Sequence, residues 1–376
     1  MIDIDFERLR SLGLTPALAA AATHLASEAT AGGPEGELAA PPACAPWRLA
    51  RVTEVHRETV RLHDGDTDFS ARVLPRLSRT LADQETALAV GDWSLWAMDP
   101  HHQPWVHKRV LPLSHIARRD ADGRRHPVVS NVDTALLVMG LDDDFNLRRL
   151  ERYLALVHGS GVTPVIVLTK ADVLAHAPDQ LQDRLAALRA RVSPQVDVLA
   201  VNALVATTAA LLSPYLGAGQ TLVLLGSSGA GKSTLTNTLL GSLVQDTGAV
   251  REHDSRGKHT TTARSLHRLP SGACVIDTPG LRALRPDVDE ATLAASFGDI
   301  ESLAVHCRFR DCKHLDEPGC AVREGVNDDR LRNYHKLLRE ARRDTMSVLE
   351  RQQILAQWKV RGKAGKARAK AKREVG

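Results

Sequence analysis

The chain has 376 residues, 43% of them hydrophobic and 3% aromatic, and its 49 Lys and Arg against 45 Asp and Glu give a formal net charge of +4. The hydrophobic content excludes a globally disordered chain, and the length exceeds what one core usually serves, so we expect two or three domains. Apolar runs do not reach the roughly 18 residues of a membrane-spanning helix, so we expect no membrane association.

The first 45 residues predict a helical extension followed by a linker. An Ala-rich helix is expected over residues 5–29, and AGGPEGELAAPPACAP after it carries the Gly and Pro that are typical of a linker. The first ten residues, MIDIDFERLR, are acidic where a secretory signal would be basic. We therefore expect a cytoplasmic protein.

Residues 46–115 predict a small β-barrel. Short β-rich runs such as RLARVTEVHRETVRL and WSLWAM are separated by the turn signals HDGD and VGD. Four tryptophans fall here, and two roles are open to each of them, packing in the core or stacking on nucleic-acid bases. These residues are Trp47, Trp93, Trp96 and Trp105.

Residues 125–285 predict an α/β domain. Strand-like runs such as PVIVLTK, VDVLAV and TLVLLG alternate with helical stretches such as FNLRRLERYLALVHG. This alternation is typical of a parallel sheet with helices on both faces.

The phrase TKAD, Thr169 to Asp172, ends the strand PVIVL and predicts guanine recognition. Asp172 is placed to accept hydrogen bonds from the N1–H and the exocyclic amine of guanine, a donor pair that adenine lacks. Lys170 would lie along the base and ribose. After VDVLAV come Asn202 and Ala203, and the backbone N–H of Ala203 is expected to reach guanine O6. Solvated polar residues at a strand end are the alternative.

The stretch GSSGAGKST matches the phosphate-binding pattern G-x-x-x-x-G-K-[ST] between a strand and a helix. Its glycines let backbone N–H groups face phosphates, Lys232 would reach the β and γ phosphates, and Ser233 offers its hydroxyl to Mg²⁺. We expect nucleotide contacts from the whole stretch. Its residues are Gly226, Ser227, Ser228, Gly229, Ala230, Gly231, Lys232, Ser233 and Thr234.

The phrase DTPG, from Asp277 to Gly280, predicts a second part of the same site. It follows the strand ACVI, where the Asp can hold the water shell of the metal and the Gly N–H can meet the γ-phosphate.

The spacing C-x₄-C-x-H-x₅-C predicts one structural Zn²⁺ in a helical domain of residues 286–357, because three thiolates and an imidazole close a tetrahedral site. His306 is a rival ligand, and a set of buried free cysteines is the alternative to a metal. The predicted ligands are Cys307, Cys312, His314 and Cys320.

Residues 358–376 form a basic tail. Eight Lys or Arg lie between Lys359 and Arg373. This single-sign charge suits phosphate neutralisation on RNA, although a solvated end is the alternative.

The order TKAD, VNA, GSSGAGKS, RGKHTTT, DTPG resembles a circularly permuted GTPase. Together with GDW at 91–93, NVD at 131–133 and FNLRRLERYL at 145–154, it resembles the family of GTPases that depend on the small ribosomal subunit, called RsgA or YjeQ. The resemblance implies an OB-fold barrel, a permuted P-loop GTPase domain and a helical zinc-binding domain. The chain departs from the family at Thr169, where Asn is usual, and at Asn202, where Ser is usual.

The resemblance also implies the function. We expect hydrolysis of GTP to GDP and phosphate, stimulated by the small (30S) ribosomal subunit, in a monomeric late-stage assembly factor that binds rRNA. A GTPase or a nucleotide-gated RNA-binding module acting on another RNA or protein assembly is the alternative.

The loop RGKHTTT is expected to supply the groups that act on water. Many GTPases use a Gln after the DxxG phrase, but this chain has Leu281, which cannot orient water. His259 would reach the water, and Thr260 or Thr261 would close on Mg²⁺ and the γ-phosphate, with Thr261 as the metal ligand. We therefore expect slow turnover until a partner orders residues 251–262.

Overall fold

The computed structural model describes residues 2–31, 46–120, 123–241, 264–279 and 285–345. The chain falls into two compact units that divide between Asp287 and Val288. In the described parts of the chain, no helix is long and apolar enough to cross a membrane.

The N-terminal segment belongs to the core of the first unit. It forms β1 (Ile2–Asp3), α1 (Phe6–Arg10) and α2 (Pro16–Ala31). Our prediction of one helix over residues 5–29 is therefore wrong, because the chain turns at Gly13, where φ is +86°. Leu9, Leu12 and Leu18 are at most 3% exposed and share an apolar cluster with the central sheet. The N-terminal extension is therefore part of the first unit. The predicted linker, 32–45, lies outside the described residues.

Five strands close the predicted barrel. Its elements are β2 (Trp47–Val55), β3 (Thr59–His63), β4 (Asp68–Val73), α3 (Pro75–Asp83), β5 (Trp93–Met98) and β6 (Pro104–Arg109). The strands pair in the order β2-β3-β4-β6-β5, and β5 pairs back with β2. The prediction of a small barrel is confirmed.

The barrel tryptophans divide between the two roles that the sequence left open. Trp47, Trp93 and Trp96 are at most 2% exposed, so core packing is confirmed for these three. Trp105 is half-buried, its Nε1 donates to Asp99 Oδ2 at 3.2 Å, and the Arg72 guanidinium lies 4.7 Å from the ring centroid.

A hairpin leads from the barrel into the central sheet of the first unit. It consists of β7 (His115–Arg119) and β8 (Arg125–Ser130), which pair antiparallel. The elements that follow are β9 (Thr134–Gly140), α4 (Leu147–His158), β10 (Thr163–Thr169), α5 (Pro178–Arg189), β11 (Asp197–Ala200), α6 (Thr207–Leu211), β12 (Thr221–Leu225), α7 (Lys232–Leu240), β13 (Ser265–Arg268) and β14 (Cys274–Asp277). A last strand, β15 (Arg285–Pro286), returns to β7.

The central sheet has the order β11-β10-β9-β12-β14-β13, with all neighbours parallel except β13 and β14. Each face carries its own apolar cluster, and adjacent residues of β9 alternate between them: Leu136 packs with α7 residues and Leu137 with α4 residues. A strand buried on both faces needs apolar residues throughout, as in TALLVMG. The predicted α/β domain is therefore confirmed.

A buried arginine joins three parts of the first unit. Arg51, on β2, is 0% exposed. Its guanidinium donates to the carbonyl of Leu12, to Thr221 Oγ1 at 2.8 Å, to Asn131 O at 2.7 Å and to Gly91 O at 3.3 Å. The barrel is thereby tied to the N-terminal segment and to β12.

The second unit is small and helical. Its helices are α8 (Glu290–Ala295), α9 (Gly298–Ala304), α10 (Ala321–Gly325) and α11 (Asp328–Thr345). Phe297, Ile300 and Val322 are at most 2% exposed and supply its interior. Arg330 forms a bidentate ion pair with the Asp299 carboxylate: Nη2 donates to Oδ1 at 2.6 Å and Nε donates to Oδ2 at 2.7 Å.

Candidate nucleotide site and metal centre

The carboxyl ends of four strands meet at one edge of the central sheet. Thr169 at the end of β10 pairs with Gly140 of β9, Leu225 of β12 pairs with Leu137, and β14 ends beside β12. Ligands of open parallel sheets bind at this edge. The phrases GSSGAGKST, TKAD and DTPG, far apart in the sequence, all begin there.

The glycine-rich loop has a backbone that requires glycine. A Cβ on Gly226 would lie 2.4 Å from the carbonyl oxygen of Val138, so no larger residue fits. Gly229 and Gly231 have φ values of +82° and +91°, in the left-handed region that glycine adopts without strain. The remaining loop residues lead into the first turn of α7: Ser227, Ser228, Ala230, Lys232, Ser233 and Thr234.

Lys232 is held within its own loop. Its Nζ donates to Gly226 O at 3.1 Å and to Ser227 O at 2.8 Å, and the residue is 6% exposed. Burial lowers the pKa of Lys232, while the negative charges of Asp277 and Asp144 oppose that shift. An anionic ligand could therefore replace the carbonyl oxygens of Gly226 and Ser227 as the acceptors of the Lys232 amine.

Thr169 joins the predicted base-reading phrase to the glycine-rich loop. It is 0% exposed, and its hydroxyl donates to Ala230 O at 2.6 Å. The Thr169 side chain therefore links the end of β10 to the glycine-rich loop by a hydrogen bond.

Beyond Thr169, the chain turns at the half-buried Lys170 and exposes Asp172. Lys170 adopts a left-handed conformation with φ of +59°, and its Nζ lies 2.6 Å from Asp142 Oδ2. Asp172 is exposed on a short 3-10 helix (Ala171–Leu174). A carboxylate in that position remains accessible to a ligand.

The loop after β11 is fastened to the helix that follows the glycine-rich loop. Asn202 Oδ1 accepts from the N–H of Leu204 at 3.0 Å, which shapes the turn. The carbonyl of Ala203 accepts from Thr238 Oγ1 of α7 at 2.5 Å. Ala203 is therefore fixed relative to the phosphate-binding helix.

The DTPG strand end is buried beside the same loop. Asp277 is 0% exposed and interacts electrostatically with Lys232. Thr278 Oγ1 donates to Leu224 O of β12 at 2.6 Å, which holds the phrase against the central strand. Four predicted catalytic residues lie outside the described residues: His259, Thr260, Thr261 and Gly280.

Two acidic residues that the sequence reasoning missed contact this site. Asp142 pairs with Lys170, and Asp144 Oδ1 accepts from Ser227 Oγ at 2.6 Å. A signal was present, because LDDDF directly follows the buried strand β9 and strand ends of a parallel sheet gather at one edge.

In the second unit, the four predicted zinc ligands come together. The ligand atoms of Cys307, Cys312, His314 and Cys320 all lie within 4.8 Å of one another. His314 Nδ1 is 3.4 Å from Cys320 Sγ and 3.6 Å from Cys307 Sγ. Three soft sulfurs and one imidazole match the donors that a tetrahedral structural Zn²⁺ takes, so the residues fit this metal.

Two solved structures share the fold. YjeQ from Thermotoga maritima matches 78% of this chain and 98% of its own, with a TM-score of 0.56 and 22% identity. YloQ, described as a circularly permuted GTPase, matches 80% of this chain and 97% of its own, with a TM-score of 0.53 and 22% identity. The fold is that of a circularly permuted GTPase.

Sequence relatives specify the family. The RsgA GTPase model matches residues 110–286. The small ribosomal subunit biogenesis GTPase RsgA of Xanthomonas oryzae pv. oryzae (strain MAFF 311018) is 47% identical over 300 residues, covering 77% of this chain and 79% of its own. The protein of the same name from Xanthomonas campestris pv. campestris (strain B100) gives the same values. The chain belongs to the RsgA GTPase family and is a GTP hydrolase.

Proposed function

We propose that this GTPase acts in late assembly of the small (30S) ribosomal subunit, with the subunit as both partner and activator. The observation that carries this is the 47% identity, over 77% of the chain, to proteins named for small-subunit biogenesis. The protein works as a cytoplasmic monomer that hydrolyses GTP to GDP and phosphate.

Guanine is read at the end of β10 and after β11. The exposed Asp172 carboxylate accepts from N1–H and the exocyclic amine, Lys170 lies along the base, and Ala203 N–H meets O6. The short contact of Thr169 with Ala230 supports this assignment, since it sets the base-reading strand end at a fixed place against the phosphate loop. Asn202 shapes the turn that presents Ala203.

The phosphates are held by the loop 226–234. Backbone N–H groups at the start of α7 donate to the phosphates of the nucleotide. Lys232 donates to phosphate oxygens in place of the carbonyl oxygens of Gly226 and Ser227. Ser233 and Thr261 would supply hard oxygen donors of the kind that Mg²⁺ prefers, and Asp277 would hold the water shell of the metal. Mg²⁺ held by these residues would neutralise charge on the β and γ phosphates.

Hydrolysis depends on residues 251–262 and 277–280. Leu281 cannot orient water, so His259 takes that role, while Thr260 and Gly280 meet the γ-phosphate. We expect slow turnover alone and acceleration by the subunit, because positioning of the reacting groups contributes several orders of magnitude to such rates.

Three further parts serve the ribosomal partner. The five-stranded barrel, residues 46–115, is an OB-fold that faces rRNA, with the half-buried Trp105 and the exposed Arg72 as its aromatic and basic pair. One structural Zn²⁺ on the cysteine and histidine cluster stabilises the helical domain of residues 286–357. The basic tail, 358–376, contacts rRNA phosphates.

The test is GTP turnover with and without purified small subunits, with large subunits and ATP as controls. We expect stimulation by small subunits alone, lost in His259→Ala while nucleotide binding persists. If small subunits have no effect and GTP still binds, the partner is another RNA or protein assembly.

A further inference from the structure

The loop between β9 and α4, residues 141–146, contacts both halves of the nucleotide site. Two aspartates on it face different segments: Asp142 pairs with Lys170 after β10, and Asp144 bonds Ser227 in the glycine-rich loop. Neither aspartate belongs to the phrases GSSGAGKST, TKAD or DTPG.

The Asp144 carboxylate accepts hydrogen bonds from three donors. Its Oδ1 accepts from Ser227 Oγ at 2.6 Å and from Arg149 Nη2 at 2.5 Å, and its Oδ2 accepts from Gly140 N–H at 3.1 Å. Charge-assisted hydrogen bonds of this kind are stronger than neutral ones. Ser227 is thereby fixed to the loop at the end of β9.

Asp142 is fixed in the same loop. Its Oδ1 accepts from the N–H of Asp144 at 3.2 Å, and Arg184 donates to Leu141 O at 2.8 Å and to Asp142 O at 3.3 Å. Partial burial opposes ionisation of Asp142, but the hydrogen bond and charge of Lys170 outweigh it and hold the pKa below its ordinary value. The ion pair with Lys170 therefore persists at neutral pH.

The space around this loop is tight. A Cβ on Gly140 would lie 2.3 Å from Asp142 Oδ1, so the carboxylate packs directly against the backbone at the end of β9. The loop thus has a defined geometry, and its two carboxylates keep a fixed spacing between Lys170 and Ser227.

We propose that Asp142 and Asp144 are positioning residues for GTP, with Asp142 orienting Lys170 along the guanine and Asp144 holding the glycine-rich loop for the phosphates. The inference rests on the nucleotide site under the proposed function. Neither carboxylate touches the nucleotide; each acts through the residue that it holds.

The experiment measures affinities of the full-length protein for GDP and for guanosine, by competition with a fluorescent guanine nucleotide. Guanosine carries the base and ribose without phosphates, so it reports only the base half. Asp142→Ala should weaken GDP and guanosine by the same factor, about fivefold, as for an ion pair that is partly open to solvent. Asp144→Ala should weaken GDP by about tenfold and leave guanosine unchanged.

Two variants control the result. Asp143→Ala removes an equal charge from the same loop at an exposed position, and it should change neither affinity. Asp144→Asn retains an acceptor for Ser227, so it should recover most of the GDP affinity. Melting temperatures verify that each variant is folded.

The proposal is overturned if Asp142→Ala and Asp144→Ala both match Asp143→Ala. It is also overturned if Asp144→Asn and Asp144→Ala bind GDP equally, since the charge alone would then matter. If the unmodified protein binds neither GDP nor guanosine, the nucleotide site itself fails.

Discussion

The two units of the chain reach a stable fold by different means. The first unit encloses three apolar clusters around a barrel and a sheet, so apolar burial supplies its stability. The second has few buried apolar residues and a cluster of three cysteines and one histidine. Small units with little core commonly depend on a metal. The central sheet is held by apolar packing on both faces, whereas the helical unit would gain stability from a metal bound at its cysteine and histidine cluster.

Removal of zinc should have the largest effect on stability, and it should affect the second unit without affecting the first. Chelation, or Cys312→Ala, forfeits a metal contribution of about 10–16 kcal/mol, so α11 should lose protection in hydrogen exchange. GTP affinity and the melting transition of the first unit should remain. Cys274→Ala, at a buried cysteine of the first unit, is the matched control and should keep full zinc content. Equal protection of α11 with and without metal would contradict this.

Arg51→Met should destabilise the first unit by about 3–5 kcal/mol, because several buried oxygen acceptors lose their donor, each at a cost of about 1–3 kcal/mol. Urea unfolding followed by tryptophan fluorescence measures the loss. Arg48→Met, on the same strand at an exposed position, should change stability little. Neither variant should change the hydrogen-exchange protection of α11. If Arg51→Met also lowered the protection of α11, the two units would not be stabilised independently.

Acid should weaken the first unit through His115. Burial, with the positive charges of Arg109 and Arg125 adding to it, lowers the pKa of His115 to about 4. The folded state therefore favours the neutral ring, and stability present above the ordinary pKa of 6.5 is lost as pH falls from 6.5 towards 4. Between pH 6.5 and 5 the loss is about 2 kcal/mol. Urea unfolding at both pH values, compared with His115→Asn, isolates this contribution; an identical pH dependence in the variant would exclude it.

Thr169→Val should have the smallest effect, about 1 kcal/mol, because the shape is kept and only the hydrogen bond to Ala230 is lost. GTP affinity measured by titration should fall several-fold, while the second unit is unchanged. Thr163→Val, at the exposed start of the same strand, is the control. Unchanged GTP affinity in Thr169→Val would show that the bond does not support the site.

Much of the architecture could be predicted from sequence. Alternating apolar and helical runs indicated the α/β domain, short β-rich runs indicated the barrel, and the order of TKAD before GSSGAGKST indicated the permutation. The N-terminal segment was harder. Its alanines favour one long helix, but Gly13 turns the chain and Pro16 begins α2, while the packing of Leu9, Leu12 and Leu18 with the sheet follows from no local pattern.

The sequence by itself determined the chemistry of the site. Glycines at 226 and 231, the lysine at 232, the aspartate at 277 and the spacing of the cysteine cluster follow from local rules of backbone freedom, charge and ligand type. Tertiary structure decided how those groups are held. Asp142, Asp144 and Arg51 find their partners through strand order, which brings residues up to 170 positions apart into contact. Local patterns do not encode such distant pairings, because each depends on how the whole sheet and barrel pack.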